Sequence, residues 1–114
     1  MTRLLALFAL LSAAAPAQPP DAADAKPLRV AIAGLAHGHV SGFLRGARNR
    51  KEIQIVGVFD PDATLGARYA KDNGFDSGMM FTDLGAMLDR VKPEAVATFT
   101  NTYDHATVVE ACAS

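Results

Sequence analysis

The chain is poor in several features that would narrow its chemistry at once: charge of one sign, cysteine, histidine, and a hydrophobic run long enough to cross a membrane. Its 114 residues carry 11 basic and 12 acidic side chains. So even a balance leaves no electrostatic footprint for nucleic acid, which is not an expected partner. The single cysteine, Cys112, makes neither a disulfide framework nor a thiolate metal cluster within the chain. Its plain reading is a buried thiol near the end of a helix. His37, His39 and His105 are the only histidines. Zinc takes roughly three or four ligands, and the His-x-His of His37 and His39 has only His105 to add, so no metal site is expected.

The longest apolar run, Leu4 to Leu11 and the small residues after it, covers about a dozen positions, against the roughly 20 a bilayer-spanning helix needs. Arg3 precedes the run and Ala15-Pro16-Ala17 closes it. A positive start, an apolar core and an Ala-x-Ala end are the pattern of a secretory signal peptide over residues 1–17. Cleavage after Ala17 predicts an exported product, periplasmic or secreted, with no membrane attachment once cut. No cysteine follows the run to carry a lipid. Residues 18–27, rich in Pro, Ala and Asp, read as an extended linker, and residues 28–114 as the folded portion.

That portion alternates strand and helix patterns. Leu28 to Ala33 is a short apolar run with β-branched residues, ending at Gly34. Val40, Phe43, Leu44 and Ala47 follow at the spacing of a helix stripe. Ile53 to Phe59 is a second buried strand, closed by Asp60. Pro61 suits the first turn of a helix and Asn73-Gly74 its end. Met79 to Phe81 reads as a short third strand, and Thr82 or Asp83 as the cap of a helix bearing Leu84, Met87, Leu88 and Val91. Ala95 to Phe99 is a fourth strand. Thr102 or Asp104 then opens a last helix on which His105, Val108, Val109 and Cys112 share a face. Strands apolar on both faces, alternating with helices, predict an α/β fold with a Rossmann-like, doubly wound parallel sheet covered on both sides. The pattern reaches about four strands and ends on Ala113-Ser114 without a closing strand, which predicts a fragment or a truncated gene product.

In such sheets ligands bind beyond the carboxyl ends of the strands. Gly34-Leu35-Ala36-His37-Gly38-His39 lies at the first of these ends as an imperfect G-x-G-x-x-G. Gly34 permits the tight turn, Ala36 occupies the position of closest approach to a pyrophosphate, and the third glycine position falls on His39, with Gly38 one residue early. The loop opens a helix whose N-terminal amides favour an anion; the plainer reading is a structural turn. Asp60, at the end of the second strand, can accept hydrogen bonds from the adenosine ribose or cap the helix at Pro61. Its charge, with neither Pro61 nor Asp62 supplying a cation, favours NAD over NADP. Thr100, Asn101 and His105 belong to a polar stretch after the fourth strand. His105 reads as a packed side chain rather than a base.

Taken together, Val30-Ala31-Ile32-Ala33-Gly34 with its His-Gly-His turn, Val58-Phe59-Asp60-Pro61-Asp62, Phe81-Thr82-Asp83-Leu84 with Met87-Leu88, and the Thr-rich strand end before His105 resemble the N-terminal domain of Gfo/Idh/MocA oxidoreductases. The resemblance covers residues 28–113. It implies an NAD(P)-binding domain of an enzyme that moves hydride between nicotinamide and a sugar, inositol or related polyol, or of a relative that cleaves glycosides. It places Gly34, Leu35, Ala36, His37, Gly38, His39, Asp60, Thr100, Asn101 and His105 around the cofactor. Ala36 and His39 depart from the glycines of the motif, and Asn101 stands where the family usually has proline. The Glu-Lys-Pro segment with the family's catalytic lysine and the substrate-binding domain are not in this sequence. The chain by itself is therefore expected to bind a dinucleotide without turnover, while the full-length protein acts on a carbohydrate-like molecule and forms a homo-oligomer. Family members exported with their cofactor carry twin arginines, whereas here Arg3 stands alone. The competing expectation is a secreted binding or scaffold module that keeps the fold without catalysis.

Overall fold

A computed structural model describes residues 25–114 of the chain. The leader expected over residues 1–17, and most of the linker, lie outside the described residues. The elements are β1 (Leu28–Ala33), α1 (His39–Arg48), β2 (Ile53–Phe59), α2 (Ala63–Asn73), β3 (Met80–Phe81), α3 (Leu84–Val91), β4 (Ala95–Thr98) and α4 (His105–Ala113), with a single 3-10 turn, Ser77–Met79, before β3. All three strand pairings are parallel, and the order across the sheet is β3-β2-β1-β4. This is an α/β fold compatible with a Rossmann-like sheet.

The apolar alternation of β1 explains how the two layers of helices attach. Val30 and Ile32 point to one face, where they cluster with Val40 and Leu44 of α1 and Val58 of β2, joined by the half-buried Leu65 and Tyr69 of α2. Ala31 and Ala33 turn to the other face. There Gly57, paired with Ala31, leaves the room into which Met87 and Val91 of α3 settle; a Cβ on Gly57 would stand 3.1 Å from Met87 and 3.2 Å from Val91. Val30, Ala31, Ile32, Ala33, Val40, Val58 and Met87 are each 5% exposed or less. Burying side chains of this size contributes about 1.5–3 kcal/mol apiece for the larger ones, so β1, flanked on both sides and covered on both faces, anchors the sheet.

The β1–β2 ladder contains one irregularity. Val30 pairs with Ile55 but Ala31 pairs with Gly57, which leaves Val56 as an extra residue in β2. This bulge lets Ile53, Ile55 and Val58 all join the same core despite their uneven spacing.

Helix ends follow the expected chemistry with one displacement. The Asp62 carboxylate accepts from the Thr64 and Leu65 amides and begins α2, so Pro61 lies one residue before the cap and not in the first helical turn. An aspartate that bonds two orphan amides outweighs the fixed φ of proline in setting the start. Asp83, of the two expected candidates, caps α3 by accepting from Ala86 at 2.7 Å. At the other end of α3, the Arg29 guanidinium donates to the carbonyls of Val91 and Lys92, while the Arg29 amide donates to the Glu94 carboxylate at 3.0 Å. These bonds tie the start of β1 to the turn before β4.

The last helix departs most from its sequence pattern. Only Val108 is buried; Val109 is 61% exposed, and His105 and Cys112 are exposed. The expected packed histidine and buried thiol are therefore both corrected. The reason is position: among the described strands β4 is at the sheet edge, and α4 packs chiefly against α3 and β4, so only Val108 reaches the core. Enough protein still surrounds the Cys112 sulfur for desolvation to raise its pKa above the usual thiol value.

Candidate dinucleotide crevice

The strand order fixes where the candidate site falls. From β1 the chain steps outward to β2 and β3, then returns to place β4 on the opposite side of β1. The carboxyl ends of β1 and β4 are thus the point where the winding direction reverses, the place at which ligands enter open α/β sheets. Gly34 follows β1 there, and Thr100 follows β4.

These two backbones meet closely. Gly34 holds φ at +90°, and a Cβ at that position would lie 2.8 Å from the Thr100 amide nitrogen and 2.9 Å from its Cα. Only glycine has both the conformational freedom and the missing side chain for this contact. Thr100 is buried, and its hydroxyl is 3.1 Å from that of Thr98.

Four hydrogen bonds set the loop. The Gly34 amide donates to the Phe59 carbonyl (2.7 Å), the Leu35 amide to Asp60 Oδ2 (2.7 Å), the His37 amide to the Phe99 carbonyl (2.9 Å), and the Val40 amide to the His37 carbonyl (3.1 Å). Leu35 is 2% exposed, so its side chain belongs to the core and its amide is already engaged. The amides of Ala36 and Gly38 find no acceptor among the described residues. His37 and His39 sit edge to face with ring centroids 4.7 Å apart, both exposed.

Electrostatics distinguish α1 from its neighbours. Where α2 and α3 begin on aspartates, α1 begins on Gly38, has no side-chain cap and has no acidic residue in its first turn. Two of its first amides are engaged locally, His39 with His37 Nδ1 at 3.4 Å and Val40 with the His37 carbonyl, so what α1 turns to the crevice is chiefly the positive end of its dipole, which favours an anion. The Ala36 and Gly38 amides in the preceding turn, without an acceptor among the described residues, add two donors.

Asp60 has a role that neither sequence alternative contained. It is 5% exposed; one carboxylate oxygen accepts from Leu35 and the other from the Asp62 amide at 2.8 Å, while its own amide donates to the Phe81 carbonyl at 3.0 Å. It is not the cap of α2. Its carboxylate locks the turn after β1 to the turn after β2, each oxygen accepting from one backbone amide.

Known families do not place the chain. It matches no family model and no curated protein.

The remaining candidates divide into two kinds. Asn101 folds its own turn: its carbonyl oxygen accepts from the Tyr103 and Asp104 amides, and its amide nitrogen donates to Asp104 at 2.7 Å. His105 is the exposed first residue of α4 and takes no part in the hydrogen bonds of the loop. Gly34, Leu35, Asp60 and Thr100 are therefore drawn into one structure, whereas Asn101 and His105 belong to the next turn. Three aromatic residues at the strand ends complete the scaffold: Phe59, Phe81 and Phe99 offer the carbonyls that receive Gly34, Asp60 and His37. Phe99 also packs on Phe43 with centroids 5.3 Å apart. Their shared signal was position, since each is the last apolar residue before a polar turn.

Proposed function

We propose that the crevice above β1 and β4 binds a dinucleotide, with NAD preferred to NADP, and that the chain is the nucleotide-binding part of an exported oxidoreductase acting on a sugar, inositol or related polyol. The observation that carries the binding proposal is the N-terminus of α1, which no carboxylate caps, reached through a glycine turn packed on Thr100 at the reversal point of the sheet. Ala36, Gly38 and the first turn of α1 would receive the pyrophosphate. Asp60, beside the loop, would accept from the ribose hydroxyls. The carboxylates of Asp60 and Asp62, both at the end of β2, disfavour a 2′-phosphate there. The carbohydrate substrate and the hydride chemistry rest on the family resemblance alone, as does an oligomer of the full-length protein.

A second reading is a binding or scaffold module without turnover. It is favoured by how much of the polar chemistry near the crevice is already used inside the protein, namely both oxygens of Asp60 and the whole amide of Asn101.

Fluorescence titration of the chain with NADH and NADPH tests the binding proposal. NADH should bind about tenfold more tightly, a difference worth about 1.4 kcal/mol, and Asp60→Asn should narrow the gap. Equal affinities that Asp60→Asn leaves equal would make Asp60 a purely structural residue. Absence of any saturable binding would remove the dinucleotide proposal itself.

A further inference from the structure

We infer a second anion site, separate from the crevice, in the groove between α1 and α2, built for a phosphoryl group bearing more than one negative charge. The groove has a volume of about 330 Å³, and Ser41, Arg45, Arg48, Arg68, Tyr69, Asp72 and Asn73 line it. In a chain whose acids outnumber its bases, three guanidinium groups here face one carboxylate. α1 contributes no acid at all.

The sequence places these groups together through two helical repeats. Ser41, Arg45 and Arg48 follow each other at four and three residues on α1, on a flank about 100° round from the buried Val40, Leu44 and Ala47. Arg68 and Asp72 share one stripe of α2, Tyr69 and Asn73 the next. Cross-links then hold the groove in shape. Arg48 donates to Asn73 Oδ1 at 2.9 Å, the Asn73 amide nitrogen donates to the Tyr69 carbonyl at 2.8 Å, and the Ser41 and Tyr69 hydroxyls are 3.2 Å apart.

Arg48 is thereby oriented with most of its donors unspent, since a guanidinium carries about five. Arg45 and Arg68 donate to no acceptor among the described residues, and Asp72 accepts from none of the three. Three like charges gathered in one groove repel one another, and a ligand with several anionic oxygens relieves that repulsion while pairing with the planar forks. The helix dipole accounts for Arg45 and Arg48, both in the last turn of α1, but not for Arg68 in the middle of α2. The volume lies at the low end of the range for small-molecule pockets, roughly 300–1,000 Å³, which suits a diphosphate and not a whole dinucleotide. The groove runs from Ser41, in the first turn of α1, to Arg48 and Asn73, the last residues of their helices, so it adjoins the crevice at Ser41. Its three arginines all lie past that turn and the loop of residues 34–39 before it, so loss of Arg45 or Arg68 tells the two sites apart.

The test is a titration of the isotopically labelled full chain with inorganic pyrophosphate, and separately with inorganic phosphate, in low salt, followed by amide shifts. Pyrophosphate should bind saturably and more tightly than phosphate, with shifts at residues 41–48 and 68–73. Arg45→Gln and Arg68→Gln should each weaken this binding at least tenfold. Arg45→Lys, which keeps the charge and loses the fork, should fall between, and Lys51→Gln should leave it unchanged. Shifts confined to residues 34–39, or equal weakening by Lys51→Gln, would overturn the proposal; the first result would leave the crevice reading intact. A parent chain that shows no saturable shifts near the groove would overturn it as well.

Discussion

Gly34→Ala should lower the melting temperature of the folded domain by about 12 °C or more and abolish any dinucleotide binding. Two costs combine. An L-residue forced to positive φ loses roughly 1–2 kcal/mol, and Gly34 holds φ at +90°. The new methyl must also displace the chain after β4, because it would stand 2.8 Å from the Thr100 nitrogen; overpacking of this kind costs about 1–3 kcal/mol. A total near 3 kcal/mol, at about 4–8 °C per kcal/mol for a domain of this size, gives the shift. Thermal melting with near-UV detection measures it. Thr100→Ser removes the Thr100 methyl from the collision but leaves the backbone atoms in place, so it should restore little of the loss. A Gly34→Ala protein melting within a few degrees of the parent would mean that the two strand ends are not in contact.

Asp60→Ala is the second large effect. The side chain satisfies the amides of Leu35 and Asp62 from a position 5% exposed. Hydrogen bonds to a charged partner contribute about 1.5–3 kcal/mol each, and an amide left unpaired in the interior adds its own desolvation cost. The Leu35 amide is buried and the Asp62 amide is not, so the two losses are unequal, and about 3 kcal/mol in all is expected from the shift of the urea midpoint. Asp60→Asn keeps one carbonyl oxygen and should lose about half as much. If instead Asp60→Ala unfolds within 0.5 kcal/mol of the parent, a typical surface effect, the carboxylate is not what joins the two turns.

These residues also show what the sequence makes legible. Strand and helix positions were readable because both sheet faces are covered: Val30 to Ala33 must be uniformly apolar, and Val40, Leu44 and Ala47 must recur at helical spacing. Gly34 was readable for the same kind of reason, since a turn between a buried strand and a helix restricts the residues that fit. Asp60 was visible as a special position, yet its role was not. Its partners are the amides of residues 35 and 62, and no side-chain pattern records where a backbone amide points. α2 starts at Ala63 and not at Pro61 because the cap, Asp62, is set by its reach to two particular amides. α4 misled for a different reason. Apolar character in His105 to Ala113 says that a surface is available for burial, and the edge position of β4 decides how much is buried.

The bulge in β2 bears on how this strand tolerates changes of length. Removing one residue from a strand ordinarily turns every later side chain to the wrong face, because strand side chains alternate. Val56 is the exception built into this sheet. It stands outside the pairing of Leu28 to Ala33 with Ile53, Gln54, Ile55, Gly57, Val58 and Phe59. Deleting it brings Ile55 and Gly57 together as consecutive residues that already oppose consecutive partners, so Val58 stays beneath α1 and Gly57 beneath α3. Deleting Ile55 instead lets Val56 take its place opposite Val30 with the same alternation, whereas deleting a residue elsewhere inside β2 leaves the chain one residue short on one side of the offset. The half-buried pair Ile55 and Val56 thus marks the place at which β2 can be shortened without exchanging its inner and outer faces.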